Sequence, residues 1–210
     1  MVSAGPTIEK IDPMRILTNI SSGRTGCEIA REAEYRGANV HLVLGNVYED
    51  VSGIKNVYRC LTTKEMLFTL KGLWEKTDIF VSAAAICDFR PVRYSRQKIK
   101  KDKRISLQFC ENIDILGVLS RRKTKQKIIG FAAESGALEK NAVAKMNSKN
   151  MDMVVANYVN RHGLGPQAEK NKVFLIDRFN NRKTSPILSK DKLANWLWDE
   201  IEKRVLCEEE

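Results

Sequence analysis

The chain has 210 residues, 43% of them hydrophobic and 30% charged, the make-up of a soluble globular protein with one core, so a single domain spanning 1–210 is expected. Its 36 Lys and Arg against 26 Asp and Glu leave a net charge of +10. No apolar run is long enough to cross a bilayer, and the start "MVSAGPTIEKIDP" lacks the basic-then-apolar layout of a signal peptide. These features argue against a membrane partner and for a cytoplasmic location.

Short apolar runs alternate with helical spacing along the chain. Residues 2–4 read as a strand that runs into "AGPT", and 24–37 carries a helical pattern. A second strand follows at 40–44 ("VHLVL"), a helix at 63–75, and a third strand at 78–85 ("DIFVSAAA"). Helical spacing returns at 114–123, a fourth strand at 127–133 ("KIIGFAA"), a helix at 135–149 and a fifth strand at 151–157 ("MDMVVAN"). Several strands are apolar throughout, as strands buried on both faces are. The alternation predicts an α/β, Rossmann-like fold: a mostly parallel sheet flanked by helices. Two stretches depart from it. "ISLQFC" at 105–110 alternates apolar with polar, and 172–186 reads as a hairpin turning near Asn180-Asn181; these predict a small antiparallel flap or dimerisation element. "SKDKLANWLWDEIEKRVL" closes the chain as an amphipathic helix capped by Ser189, with Leu193, Trp196, Leu197 and Ile201 on one face.

The charge is local. "RYSRQKIKKDKR" at 93–104 has seven basic residues and one acidic, and "RRKTKQK" at 121–127 adds five more cations, so the remainder is close to neutral. The second cluster reads as a solvated helix end. The first begins a few residues beyond Asp88, and closely packed cations there suit a flap that closes over a polyphosphate. The five cysteines are scattered, with no C-x-x-C pair, and His41 lies far from His162, so neither a disulfide framework nor a zinc site is expected.

In an open parallel sheet, ligands bind beyond the carboxyl ends of the strands. Those ends carry small residues here: "AGPT" with Gly5, "AAAICDFRP", "GFAAES" and "VANYVN". The loop "NISSGRTG" leads into the helix at 24–37, where free N–H groups and the helix dipole attract phosphate; Ser21, Ser22, Gly23 and Gly26 suit such a cradle. Lys145 and Lys149, four residues apart, emerge on one helix face and point to the same ligand. Tyr94 and Lys98 have the Y-x-x-x-K spacing of short-chain dehydrogenases. However, Pro91 and the lysine run are poor helix material, and the second strand ends "VLGN" without a ribose-binding acid, so a dehydrogenase is rejected.

Seven blocks in order carry a resemblance over nearly the whole chain: "SAGPTIEKIDPMRILTNISSGRTG", "RGANVHLVLG", "AAAICDFRP", "KIKK", "ENIDIL", "GFAAES" and "NAVAKMNSKNMDMVVAN". The chain resembles the phosphopantothenoylcysteine synthetases of the prokaryotic type. The resemblance implies a homodimer that joins 4′-phosphopantothenate to cysteine. An acyl-cytidylate forms from CTP with release of pyrophosphate, and the cysteine amine then displaces CMP. It implies Asn19 and Lys98 as catalytic, and Ser82, Ala83, Ala84, Asp88, Lys98, Asn112, Ile113, Asp114, Ile115, Phe131, Lys145 and Lys149 as nucleotide-binding. With Gly5, Ser22 and Gly23 these form the candidate site. Arg15 matches a residue tied to the dimer contact. Mg²⁺ is expected with CTP, its protein ligands unassigned. The flavin-dependent decarboxylase half often fused upstream is absent from the sequence, so no FMN is expected. "GRTG" departs from the lysine and methionine common in that block. Two rivals remain: the same ligase using ATP, and a nucleic-acid-binding module built on the basic clusters. The second lacks a recognisable motif or interleaved aromatics, so no nucleic-acid partner is expected.

Overall fold

A computed structural model describes residues 1–101, 104–159, 163–165 and 167–206. Asp102 and Lys103 of the basic run, His162 and Cys207 lie outside these residues.

In chain order the elements are β1 (Val2–Ala4), β2 (Ile8–Lys10), β3 (Ile16–Thr18), α1 (Arg24–Tyr35), β4 (His41–Leu44), β5 (Asn56–Arg59), α2 (Thr63–Leu73), β6 (Ile79–Ser82), β7 (Phe89–Pro91), β8 (Phe109–Glu111), α3 (Ile115–Ser120), β9 (Lys127–Glu134), α4 (Leu138–Ser148), β10 (Met153–Tyr158), β11 (Lys170–Asn171), β12 (Phe174–Asp177), β13 (Arg182–Thr184), β14 (Leu188–Ser189) and α5 (Lys190–Ile201). The central sheet runs β13-β12-β10-β9-β6-β1-β4-β5. Its strands from β5 to β10 are parallel, and β12 and β13 are antiparallel. The order reverses at β1, which pairs with β4 on one side and β6 on the other.

Period-two alternation in the buried strands divides the core into two layers. Val2, Ala4, Leu42, Leu44, Val81, Ile129 and Val155 pack under α1 and α5. Val43, Phe80, Ile128, Val154 and Ala156 pack under α2, α3 and α4. Each helix earns its place differently. A capping box of Thr62 and Glu65 starts α2. On the other face, Trp198 Nε1 donates to Ile29 O at 2.9 Å, and Arg36 bonds Glu32, Asp199 and Glu202, locking α1 to α5.

The five predicted strands and the helix order are present. The helix expected at 114–123 is shorter, because Asp114 caps it and it ends by Ser120. The third strand stops at Ser82, where the chain bends to make its cleft wall. The 172–186 hairpin is present as β12 and β13, with Asn180 at φ 68° in its turn. Ser189 stands at the N-cap of α5, but its hydroxyl makes no bond to the first-turn N–H groups. Trp198, rather than Trp196 alone, is the deeply buried aromatic of α5. The small antiparallel elements are β2–β3 and β7–β8, with a short β11–β14 pair. Of "ISLQFC", only Phe109 and Cys110 become strand.

α1 lies unusually near β1 because residue 26 has no side chain. A Cβ on Gly26 would stand 2.5 Å from Ala4 Cβ and 3.1 Å from Ala4 Cα, which is backbone. Gly26→Ala gains helix propensity but forces α1 off the strand, and overpacking outweighs the gain. A net loss of about 1–2 kcal/mol is expected in urea unfolding.

Candidate active site

Because β1 is the reversal point, the chain segments that leave β1 and β6 turn to opposite faces, and a cleft opens between them. It encloses about 700 Å³. Its floor is Ser82, Ala83, Ala84, Phe131 and Ala133; one wall is Gly23, Thr25 and Gly26 of α1, and the other is Asn112–Leu116 with Lys145 and Lys149. Asn19 and Asp88 stand at its rim region, with Glu111 and Phe89 from the β7–β8 pair. Thirteen of the sixteen residues expected at the site line this one cleft. Gly5, Ser22 and Lys98 do not.

Gly5 lies beneath the α1 loop: a Cβ on Gly23, whose φ is +76°, would come 3.0 Å from Gly5 Cα and 2.6 Å from Val47 Cγ1. Gly5 therefore supports the cradle from below. Ser22 Oγ accepts the Arg24 N–H at 3.3 Å, so it shapes the helix start. Lys98 is exposed on a segment bonded to the β2–β3 turn. Ile99 N donates to Asp12 Oδ2 at 3.1 Å, Arg15 Nη1 donates to Ile99 O at 3.1 Å, and Ser95 N donates to Ile11 O at 3.0 Å. Asp12 also pairs with Arg15. In this structure, then, the Lys98 segment is tied to the β2–β3 turn and Lys98 lies outside the cleft lining that holds Lys145 and Lys149.

The two cleft lysines differ. Lys145 Nζ donates to Phe131 O at 2.7 Å. Burial holds its ammonium below the ordinary lysine range, against the pull of Glu134, Asp88 and Asp114. A partly buried cation whose charge burial disfavours gains from an anion placed beside it. Lys149 pairs with Asp114. Burial works to raise the Asp114 carboxyl, but the Lys149 ammonium and the Gly117 N–H, at 2.9 Å, overcome it and leave it below the usual range.

Asn112 is a joint. Its Nδ2 reaches Glu9 Oε1 at 2.8 Å, Thr63 Oγ1 at 3.0 Å and Cys87 O at 3.0 Å, and its Oδ1 accepts the Ile113 N–H at 2.9 Å. Hairpin strand β2, the start of α2, the segment after β6 and the approach to α3 meet on this amide. Asn19 is tied similarly, with Nδ2 on Ile86 O at 2.8 Å. Asn171, on the two-residue strand β11, lines the cleft with no sequence pattern to announce it, whereas Glu111 opens the "ENIDIL" block and Asn157 lies in the "VANYVN" strand end. Among the described residues no group of three or more His, Cys, Asp or Glu is placed to hold a metal ion.

Asn112→Ala removes donors from a carboxylate, a hydroxyl and a carbonyl together. It is expected to cost about 1–3 kcal/mol in urea unfolding, with Asn112→Asp no better because it faces Glu9. An unchanged midpoint for Asn112→Ala would mean that the amide joins nothing.

The family model described as the DNA/pantothenate metabolism flavoprotein C-terminal domain matches residues 1–205. The coenzyme A biosynthesis bifunctional protein CoaBC of Bacillus subtilis is 35% identical over 203 residues, covering 96% of this chain and 50% of that protein. Its counterpart from Escherichia coli K12 is 34% identical over 206 residues, covering 96% of this chain and 50% of that protein. The chain thus spans about half the length of these curated relatives. The crystal structure of the C-terminal domain of a CoaBC protein superimposes with a TM-score of 0.84 at 30% identity, covering 99% of this chain and 95% of that one. With its reversal-point cleft, its sheet order and this match from end to end, the chain belongs to the DNA/pantothenate metabolism flavoprotein C-terminal domain family.

Proposed function

We propose that this domain is a ligase of coenzyme A biosynthesis that joins 4′-phosphopantothenate to L-cysteine at the expense of CTP. The observation that carries the reading is the cleft itself. It sets the amide-rich start of α1 across a floor of small residues from two lysines, one of them poorly solvated. That is a receptacle for an anion with a flat neighbour, as a nucleotide is.

In the first step the substrate carboxylate attacks the α-phosphorus of CTP. An acyl O–P bond forms, the bond to pyrophosphate breaks, and negative charge accumulates. Lys145 and Lys149 offset that charge from fixed positions. Asp88, itself anionic, serves a ribose hydroxyl or the metal ion rather than a phosphate. In the second step the cysteine amine attacks the acyl carbonyl, the C–N bond forms, a proton is lost and CMP leaves. Asn19 suits this step because a neutral amide hydrogen-bonds the intermediate without titrating. Lys98 is proposed to join once the ties at Ile99 are released.

Mg²⁺ is proposed to arrive on the nucleotide phosphates, which fits a rim offering separate carboxylates, Asp88 and Glu111, rather than a ready cage among the described residues. It would neutralise phosphate charge. No FMN belongs to this reaction. A homodimer is proposed, supported by exposed apolar residues on the antiparallel elements: Met14, Ile16, Phe89 and Phe109. A cytoplasmic location is part of the same reading.

Pyrophosphate release is the test, with Mg²⁺, 4′-phosphopantothenate and either CTP or ATP, and cysteine omitted or added. Release is expected to need 4′-phosphopantothenate and to prefer CTP. Preference for ATP would retain the ligase and replace the base. Lys145→Gln should lower kcat by about 10²–10³-fold, the scale of losing one fixed transition-state donor. Release indifferent to 4′-phosphopantothenate would overturn the reading.

A further inference from the structure

Not all of the cleft is built for charge. Asn157 lies near the carboxyl end of β10, in register with Ala133 of β9, and Phe131 sits one step back opposite Val155. Ile129 and Val155 pack under α1 and α5, so strand alternation turns Phe131, Ala133 and Asn157 to that same face. Asn171 approaches from β11, whose partner β14 leads directly into α5. Both asparagines line the cleft, yet Asn171 is only 5% exposed and Asn157 7%.

Each amide is oriented by its neighbouring backbone, and the two orientations are opposite. Asn157 Nδ2 donates to Tyr158 O at 3.1 Å, which leaves Oδ1 to the cleft. Asn171 Oδ1 accepts the Lys172 N–H at 2.9 Å, which leaves Nδ2 to the cleft. Turning either amide over would set oxygen against oxygen, or N–H against N–H. Among the described residues nothing donates to Asn157 Oδ1 and nothing accepts from Asn171 Nδ2. Neither atom is sealed away unpaired, as Ser3 Oγ and Glu34 Oε2 are. A nearly buried amide with one atom left open gains most from a ligand that supplies the missing partner.

We propose that Asn171, together with Asn157, forms a charge-free subsite that reads a planar edge carrying both a donor and an acceptor. A phosphate, which has acceptors only, is repelled by Asn157 Oδ1. Phe131 offers an apolar face on which a planar group can lie. The identity of the bound molecule rests on the ligase reading above, in which two groups have such an edge: the base of the nucleotide and the amide of 4′-phosphopantothenate. Phe131 favours the base. Cytosine and uracil carry their donor and acceptor in exchanged positions, so a fixed pair accepts one and refuses the other.

Calorimetry on the whole chain with Mg²⁺ tests this, with CTP, UTP, 4′-phosphopantothenate and inorganic tripolyphosphate as separate probes. Asn171→Ala removes the donor. Asn171→Asp keeps the acceptor for the Lys172 N–H and turns the open donor into an acceptor. If the base is read, the wild type binds CTP about tenfold or more tighter than UTP, and both variants reduce that ratio to about threefold or less. The charge of the aspartate acts on both nucleotides alike and cancels in the ratio. If the amide is read, Asn171→Ala weakens 4′-phosphopantothenate about tenfold and leaves both nucleotides within about twofold. Under either outcome Asn157→Ala follows Asn171→Ala, and tripolyphosphate binds these two variants as it binds the wild type. Should Asn171→Ala not fold, Asn171→Asp carries both arms, each read relative to tripolyphosphate. A folded Asn171→Ala that binds every probe as the wild type does would overturn the proposal. Equal weakening of all four probes would also overturn it, since that marks a wall that has shifted. Failure of the ligase reading looks different: a wild type that binds these molecules but releases no pyrophosphate leaves the subsite standing on binding alone. A wild type that binds neither nucleotide nor 4′-phosphopantothenate overturns both.

Discussion

Everything at the site depends on β1 being hydrogen-bonded on both sides to strands that lead away in opposite directions. Ser3 pairs with Val43 on one flank and Ser82 on the other. A backbone at this position is fully committed, so the only surface it offers is its end. Gly26 then brings α1 onto Ala4, and the bend after Ser82 carries the other wall away. The cleft follows from these two constraints, before any charged residue is considered. Side chains decide only what the opening attracts.

The charged groups around the opening are unequally solvated. Lys145 in the cleft and Lys190 beside Ser22, outside the cleft lining, are both held below the lysine range chiefly by burial. Exposed lysines are more numerous, above all in the 93–104 run, but water and salt screen them. Under the proposed reading, the partly buried Lys145 counts for more than that charge run in fixing an anion. Opposing them, Asp114 is drawn below its usual range by Lys149 despite its burial, so the α3 start carries an ion pair rather than a free charge.

Most of the sheet was legible because strands buried on both faces leave continuous apolar runs, as "IIGFAA" and "MVVA" do. The residues gathered at strand ends were legible for the same reason: topology places them together once the alternation is recognised. The edge strand β5 was not, since "NVYR" is half-buried and has no such run. Neither was the β2–β3 hairpin, whose three-residue strands are too short for a period to register. Lys98 illustrates a different limit. Nearness in sequence to Asp88 suggested nearness in space, yet Asp12 and Arg15, more than 80 residues earlier, hold its neighbour Ile99. Lys190 was hidden in an amphipathic pattern, where a lysine at a helix start looks like solvent-facing decoration. Its burial arises from the docking of α5 on α1, which no local window contains.

The last strand of the sheet has a bearing on how large the sheet can grow. β13 consists of Arg182, Lys183 and Thr184, all exposed, at the outer edge beside β12. Arg182 reaches Glu139 and Lys183 pairs with Glu200. An incoming strand would have to settle against two cations, and natural sheets use such residues to refuse edge-to-edge growth. The strand that ends the sheet thus carries its own barrier in the sequence, and growth is held at the eight strands described.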